Sequence, residues 1–157
     1  MTRTQATALA AAGSAALLLG AFAFQYIGGL APCHLCLLQR WPHAAALAIG
    51  ALALALRRTI LARLLPWAGA LAALATSGLG AYHTGVEKHW WLGPTTCTAG
   101  DISKISAADL LAQIKAAPVA QCDQIAWQML GLSMASWNML LSLSLAGLWL
   151  YAATRRD

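Results

Sequence analysis

Charged side chains are scarce in this sequence. Of its 157 residues, 10% are Asp, Glu, Lys or Arg, whereas 60% are hydrophobic. A soluble globular domain has about a quarter of its residues charged, so this composition excludes an ordinary soluble domain. Acidic residues are the scarcer charges, with five Asp and Glu against ten Lys and Arg, which leaves a formal net charge of +5.

Repeats and linkers are also lacking. The sequence has no internal repeat and no low-complexity stretch that would join separate domains. This pattern excludes a repeat array and a chain of tethered modules. We therefore expect residues 1–157 to form a single membrane domain.

What the sequence has instead is four apolar runs near the twenty-residue length of a bilayer crossing. They lie at about 6–27, 35–56, 64–82 and 134–152. The predicted fold is all-α, a membrane-embedded four-helix bundle with a long loop at 83–133 between the third and fourth helices. The first run follows Arg3 and contains Ala21-Phe-Ala23, so a cleaved secretory signal is the alternative. Its length favours a retained span.

Arginines flank the apolar runs on one side only. This group consists of Arg3, Arg57, Arg58, Arg63, Arg155 and Arg156. Basic residues mark the cytoplasmic ends of membrane spans, so both termini are predicted to be cytoplasmic and the 83–133 loop periplasmic. Because the positive charge is explained by topology, its placement argues against a nucleic-acid-binding protein.

Aromatic residues agree with this topology, since Trp and Tyr prefer the two membrane–water interfaces. The residues predicted at the inner interface are Trp67, Trp149 and Tyr151. Those predicted at the outer interface are Trp41, Trp90, Trp91 and Trp137.

All four cysteines fall on the predicted outer side of the membrane, where disulfides persist. Cys33 and Cys36 form a Cys-x-x-Cys pair at the start of the second run, where the positive end of a helix favours thiolate over thiol. A disulfide across two residues constrains little chain, so this pair indicates redox chemistry or metal binding. Cys97 and Cys122 lie in the loop, where a purely structural disulfide is the alternative.

Arg40 lies four residues after Cys36 and hence on the same helix face. A charge within a span is costly, so we interpret Arg40 as stabilising a thiolate at Cys36 or an anion on a small acceptor. The alternative is an interfacial arginine that reaches water. His83, at the outer end of the third run, can reach the same layer or be merely interfacial. Zinc would need two more ligands, for which His34, His43 and His83 are candidates, and Arg40 would repel it, so no metal is expected.

Several motifs occur together in the order of one known family. They are Cys33-His-Leu-Cys36-Leu-Leu-Gln-Arg40, Tyr82-His83-Thr84-Gly85-Val86-Glu87, Gly93-Pro94-Thr-Thr-Cys97, and the stretch from Cys122-Asp123 through Trp127 to Asn138. With the four spans, they resemble the DsbB disulfide-bond-formation family over essentially the whole chain. One Cys-x-x-Cys would be a weak signal, but two outer cysteine pairs with the arginine and the spans are a strong one.

The resemblance implies a protein-dithiol:quinone oxidoreductase of the bacterial inner membrane. Such an enzyme reoxidises a periplasmic thioredoxin-fold dithiol protein, DsbA or a DsbA-like protein, and passes the electrons to ubiquinone or menaquinone. By matching position, Cys33–Cys36 is the quinone-coupled pair, with Cys36 nearest the quinone. Cys97–Cys122 is the pair that meets the partner, with Cys97 taking the mixed disulfide.

The resemblance also assigns two residues to the quinone. Arg40 matches the quinone-side arginine of the family, and His83 matches a histidine near the quinone ring. Some members have an acidic residue just before that arginine, where this chain has Gln39. The local charge balance is therefore expected to differ from theirs.

Two other kinds of protein remain as alternatives. One is another four-span thiol enzyme, such as a relative of vitamin K epoxide reductase, whose Cys-x-x-Cys would be expected near a later span. The other is a non-enzymatic four-span membrane protein with structural disulfides or a metal site. A bound quinone would distinguish the favoured function from the second alternative.

Overall fold

A computed structural model describes residues 1–94 and 120–155. Its four long helices are α1 (Arg3–Tyr26), α2 (His34–Ala55), α3 (Leu61–Glu87) and α4 (Met134–Thr154). A short antiparallel hairpin precedes α4, with strands β1 (Gln128–Met129) and β2 (Leu132–Ser133). The described part of the chain is thus helical apart from this hairpin and the connections, as the all-α prediction requires.

The four helices form a ring in which each one packs against two neighbours. α1 and α3 both contact α2 and α4. Neighbours run antiparallel, as the residue pairs between them show. Gly50 of α2 faces Ala11 of α1, and Gly80 of α3 faces Met139 of α4. At the end of the bundle that holds the two chain termini, Tyr151 donates a hydrogen bond to the carbonyl of Met1 (3.0 Å).

Small residues let the helices approach closely in the half of the bundle away from the cysteines. Trp149 is fully buried there, among alanines of all four helices. A Cβ placed on Gly69 would lie 2.5 Å from Trp149 Cδ2, so glycine is what makes room for the indole. Trp149, which was predicted near the inner interface, therefore packs inside the bundle instead of on its surface. The missing side chain of Gly69 leaves space for the Trp149 indole in the core of the bundle.

The outside of the bundle is apolar. Large exposed hydrophobic side chains occur on every helix, among them Leu19, Leu52, Leu71 and Leu143. Such a surface would be unfavourable in water and is suited to lipid hydrocarbon. By length and composition, α1 and α3 are apolar enough to cross a membrane, whereas α2 and α4 fall outside that criterion. The polar residues of α2 and α4 bond one another inside the bundle, as described below.

The helix ends follow the predicted spans within a few residues except in α3. That helix begins at Leu61 rather than 64 and ends at Glu87 rather than 82. The extra outer turn contains His83, Thr84 and Glu87, which are polar but buried. Hydropathy ends the span at Tyr82, but hydrogen bonds to other helices keep the following turn helical. The predicted 83–133 loop therefore starts at Lys88.

Two connections show why particular residues stand where they do. After α3, His89 takes a positive φ of 55°, and Trp91 then folds back and donates its indole N–H to the Tyr82 carbonyl (2.9 Å). In the hairpin, Leu130 (φ 53°) and Gly131 (φ 76°) both adopt the left-handed conformation. Two such residues define the type of tight turn whose twist matches a two-stranded hairpin.

Candidate functional site

The Cys33–Cys36 pair opens helix α2. Cys33 is the N-cap residue, and its Sγ accepts a hydrogen bond from the Cys36 backbone N–H (3.2 Å). The two Sγ atoms lie 2.8 Å apart, and both cysteines are free. The hydrogen bond with Cys36, and then burial, raise the pKa of the Cys33 thiol. The raised pKa disposes Cys33 to keep its proton in the reduced pair.

His83 of α3 faces this pair with a fixed tautomer. Its Nε2 lies 3.5 Å from Cys33 Sγ, and its Nδ1 lies 2.9 Å from Gln39 Nε2. The same Gln39 nitrogen donates to the Leu35 carbonyl (3.1 Å), while Gln39 Oε1 accepts from Asn138 (2.6 Å). Because an amide nitrogen only donates, His83 Nδ1 must accept. The proton of the neutral ring is then on Nε2, the nitrogen that lies near Cys33.

Glu87 extends this arrangement by one helical turn. Its Oε1 lies 3.9 Å from His83 Nε2, and it accepts a hydrogen bond from the Ser133 hydroxyl. Ser133 is the N-cap residue of α4 and lies 3.1 Å from the Ser136 hydroxyl. Glu87 was not among the site residues predicted from the sequence. Its i+4 spacing from His83 was the available signal.

Arg40 is held by α1. Its Nη1 donates to Gln25 Oε1 (2.6 Å) and its Nη2 to the Ala21 carbonyl (3.5 Å). The guanidinium carbon lies 4.9 Å from the centroid of the Phe22 ring. Its Nε is buried without a hydrogen-bond partner among the described residues. Arg40 thus keeps one donor group unused, and its other contacts fix the side chain on the α1 side.

Asn138 of α4 joins the polar residues of α2 and α3 below the cysteines. Its Nδ2 donates to Gln39 Oε1, at the distance given above, and to Thr76 Oγ1 (3.2 Å). Its Oδ1 lies 2.8 Å from His43 Nε2 and accepts from the Ser142 hydroxyl (3.3 Å). An asparagine within an apolar run was the sequence signal for this group of hydrogen-bonded residues. Its partners belong to α2, α3 and α4, so they could be identified only from the fold.

A cavity of about 420 Å³ lies beside these groups. Its walls come from α1, α2, the outer turns of α3 and α4, and the segment 120–129, and they are mainly apolar. The polar or reactive residues on the walls include Cys33, Cys36, Gln39, Arg40, His43, His83, Glu87 and Asn138. The structure therefore brings Cys36, Arg40 and His83, predicted from separate motifs, to the wall of one cavity.

Cys122 lies next to the same site. It is fully buried and packs in one cluster with Cys33, Leu35 and Val86. It is disulfide-bonded, and its backbone hydrogen-bonds His83. Cys97, the predicted partner of Cys122, lies outside the described residues. The structure thus places one cysteine of the loop pair against the Cys-x-x-Cys pair.

Three of these residues also form a possible metal-binding group. The ligand atoms of Cys33, Cys36 and His83 all lie within 4.8 Å of one another. A structural zinc site takes four ligands of this kind, so the cluster supplies three of the four. His43, a further ligand considered from the sequence, already uses its Nε2 on Asn138.

Comparison with known proteins gives one match. No curated protein and no solved structure matches the chain. A family profile described as "Disulfide bond formation protein DsbB" matches residues 3–152. That range contains all four cysteines, the hairpin and nearly all of the four helices, and it confirms the resemblance seen in the cysteine motifs. The protein is therefore a membrane four-helix oxidoreductase of disulfide bond formation, and the chain belongs to the DsbB family.

Proposed function

We propose that this protein is a protein-dithiol:quinone oxidoreductase of the bacterial inner membrane. It reoxidises a periplasmic thioredoxin-fold dithiol protein, DsbA-like, and delivers the electrons to ubiquinone or menaquinone. The observation that carries this proposal is the Cys33–Cys36 pair on the wall of a largely apolar cavity that also holds Arg40 and His83. Family membership supports the coarser function of disulfide bond formation.

Electrons enter by two thiol–disulfide exchanges. A partner thiolate attacks Cys97, and Cys122 leaves as a thiolate. The second partner thiol then closes the partner's own disulfide, which leaves Cys97 and Cys122 reduced. That reduced pair attacks the oxidised Cys33–Cys36 disulfide and becomes oxidised again. The packing of Cys122 against Cys33 supports this order, because exchange requires the sulfurs to meet.

The residues around the cavity fit a quinone head group. Its ring and isoprenoid tail are apolar, as are most of the walls, and Arg40 keeps one buried N–H unused. When bound, the quinone accepts two electrons and two protons from the Cys33–Cys36 dithiol. Arg40 provides a fixed positive charge, and His83 Nε2 lies 3.5 Å from Cys33 Sγ. A fixed positive charge beside a largely apolar cavity stabilises a thiolate at Cys36.

The membrane arrangement completes the proposal. The chain forms a single four-span domain with both termini in the cytoplasm and all four cysteines in the periplasm. A disulfide-generating enzyme needs its partner-facing cysteines in an oxidising compartment, and the periplasm is one. The apolar outer surface of the bundle supports four spans, since exposed leucines occur on each helix.

The decisive experiment measures quinone reduction driven by a reduced thioredoxin-fold dithiol protein. Purified protein in detergent is mixed with that protein and a short-tailed ubiquinone or menaquinone analogue, and quinone absorbance is followed. Catalytic loss of quinone absorbance, with one disulfide formed in the partner per quinone, is expected. Partner oxidation without quinone reduction would contradict the proposal.

A metal site is the second candidate function, because Cys33, Cys36 and His83 place three ligand atoms together. It predicts about one zinc ion per protein after purification under reducing conditions. It also predicts that zinc removal lowers thermal stability. Stoichiometric zinc with no quinone reduction would favour the metal site over the oxidoreductase.

A further inference from the structure

His43 is a buried residue of the cavity wall that the proposed electron path leaves unused. It lies in α2, one turn below Arg40, and only 4% of its surface is exposed. Its Nε2 lies 2.8 Å from Asn138 Oδ1. Its Nδ1 is buried and has no hydrogen-bond partner within residues 1–94 and 120–155.

The hydrogen bonds around Asn138 determine which nitrogen of His43 carries the proton. The Leu35 carbonyl only accepts, so the Gln39 group facing it is the amide nitrogen and Oε1 faces Asn138. Asn138 therefore presents Nδ2 to Gln39, and this nitrogen also donates to the Thr76 carbonyl (3.4 Å). Asn138 Oδ1 is then left to face His43. Because that oxygen only accepts, the neutral His43 ring is protonated on Nε2.

His43 Nδ1 is consequently an acceptor without a donor. A buried acceptor left unpaired is unfavourable, so a bound molecule that supplies a donor is favoured at this position. Arg40 offers the opposite case, a buried Nε–H without an acceptor. The two residues are three apart on α2 and share a helix face and a cavity. Two residues that line the cavity thus carry one unused donor and one unused acceptor.

We propose that His43 is a quinol-binding residue, whose Nδ1 accepts a hydrogen bond from a hydroxyl group of the reduced quinone. This inference rests on the proposed quinone function and deepens it. A quinone carbonyl has no proton to donate, so His43 distinguishes the reduced from the oxidised form. Arg40, as a donor, can bond a carbonyl oxygen of either form. His43 therefore increases the affinity for quinol relative to quinone and so favours reduction of the bound molecule.

Asn138 acts as a positioning residue in this scheme. It holds the Nε2 proton of His43 and thereby leaves Nδ1 as the acceptor. In Asn138→Leu this constraint is lost, and His43 can place its proton on Nδ1 and donate to a quinone carbonyl. The preference for quinol over quinone is then expected to shrink, although His43 itself is unchanged. A merely structural role of Asn138 would lower the affinity for both forms equally.

The test compares dissociation constants of a short-tailed ubiquinone analogue and of its quinol, measured anaerobically by tryptophan fluorescence quenching of the full-length protein. His43→Leu is expected to weaken quinol binding about five-fold, the worth of one hydrogen bond, and to change quinone binding less than two-fold. His89→Asn is the matched control, since His89 is an exposed histidine outside the cavity wall and asparagine tolerates its positive φ. It should leave both constants unchanged. Equal weakening of both forms, or no change in either, in folded His43→Leu would overturn the proposal.

A second measurement uses the unaltered protein and does not depend on how a variant folds. The ¹⁵N resonance of His43 Nδ1 should show a neutral Nε2–H ring and should shift on adding the quinol but not the quinone. A ring protonated on Nδ1, or equal shifts with both forms, would contradict the assignment. Failure of the quinone function itself is distinguishable, because the wild-type protein would then bind neither form.

Discussion

Gln39 determines which nitrogen of the His83 ring carries the proton, although the two residues are far apart in the sequence. It donates to the Leu35 carbonyl and to His83 Nδ1, and it accepts from Asn138. A carboxylate at this position, as in some family members, would accept rather than donate. His83 would then need a proton on Nδ1, and its Nε2 would face Cys33 as an acceptor or as part of a cation. Gln39 thus favours a neutral His83 ring that carries its proton on Nε2.

The first prediction concerns the Cys-x-x-Cys pair. Cys33→Ser and Cys36→Ser should each abolish quinone-coupled oxidation while the protein still inserts in the membrane. A bridge between residues so close in sequence contributes little to stability, so the loss is chemical. Quinone reduction rates, with membrane content as control, check this. Retained turnover in either variant would remove the pair from the mechanism.

The second prediction concerns Arg40. Arg40→Met keeps the length of the side chain but removes the cation and the bonds to Gln25 and Ala21. We expect the rate of quinone reduction to fall by at least ten-fold, with exchange between the partner and Cys97–Cys122 unchanged. Lysine should restore only part of the rate, because it lacks the planar fork of donors. Unchanged quinone kinetics in Arg40→Met would leave Arg40 as an anchor at the interface.

At the scale of helices, length and hydropathy were enough to predict most boundaries. The four apolar runs gave α1, α2 and α4 within a few residues, because spans of bilayer length are strong signals. The last turn of α3 was not predicted. Its polar residues can be buried because Ser133, the N-cap of α4, and Ser136 form hydrogen bonds with them. Its burial thus depends on a neighbour more than forty residues away.

The candidate site, too, could be predicted only in part from the sequence. Cys33, Cys36, Arg40 and His83 could be found because spacing and family resemblance mark them. The hydrogen-bonding of His43 and Asn138 could not, because each partner comes from a different helix. A polar residue in an apolar run signals importance, but its partner is known only from the fold.

The third prediction tests the contact between α3 and α4. Gly69→Ala adds a Cβ that would lie 2.5 Å from the Trp149 ring, so one of the helices must move. Overpacking of this kind costs about 1–3 kcal/mol, which we expect as lower thermal stability in detergent. Gly78→Ala is the matched control on the same helix, because a Cβ there meets nothing within 4 Å. That variant should be as stable as the wild type or more so, since alanine favours the helix. Equal melting temperatures for both variants would contradict the packing argument.

At the scale of the whole molecule, apolar side chains cover the surface and several polar side chains lie inside, which is the reverse of a soluble protein. Leucines cover the surface, whereas Gln39, His43, Thr76, Asn138 and Ser142 bond one another inside. In hydrocarbon each of these groups would be costly alone. Paired across α2, α3 and α4, they allow two helices of moderate hydropathy to belong to a membrane bundle.

The fourth prediction is topological. Reporter tags at either terminus should be cytoplasmic, and a tag near Lys104 should be periplasmic, because the arginines flank one side of the spans. Protease accessibility in spheroplasts measures this directly. A mature N-terminus near Phe24 would instead show that the first apolar run is a cleaved signal, and the four-span arrangement would be wrong.

The fifth prediction separates the roles of the two loop cysteines. Cys122 is fully buried against Cys33, so a thiolate of an external partner reaches it poorly. Attack is therefore expected at Cys97, with Cys122 as the leaving sulfur that passes electrons inward.

In Cys122→Ser, Cys97 keeps no internal resolving partner. A disulfide-linked complex between Cys97 and a thioredoxin-fold partner that lacks its own second cysteine should then accumulate under oxidising conditions. Non-reducing electrophoresis detects it, and Cys97→Ser is the matched control that should give none. If Cys97–Cys122 were only a structural disulfide, both variants would lose stability alike, and folded survivors would still oxidise the partner. A stable cross-link through Cys33 or Cys36, with none through Cys97, would reverse the order of the relay. Electrons would then enter at the cavity, and the burial of Cys122 would serve only to hold the loop in place.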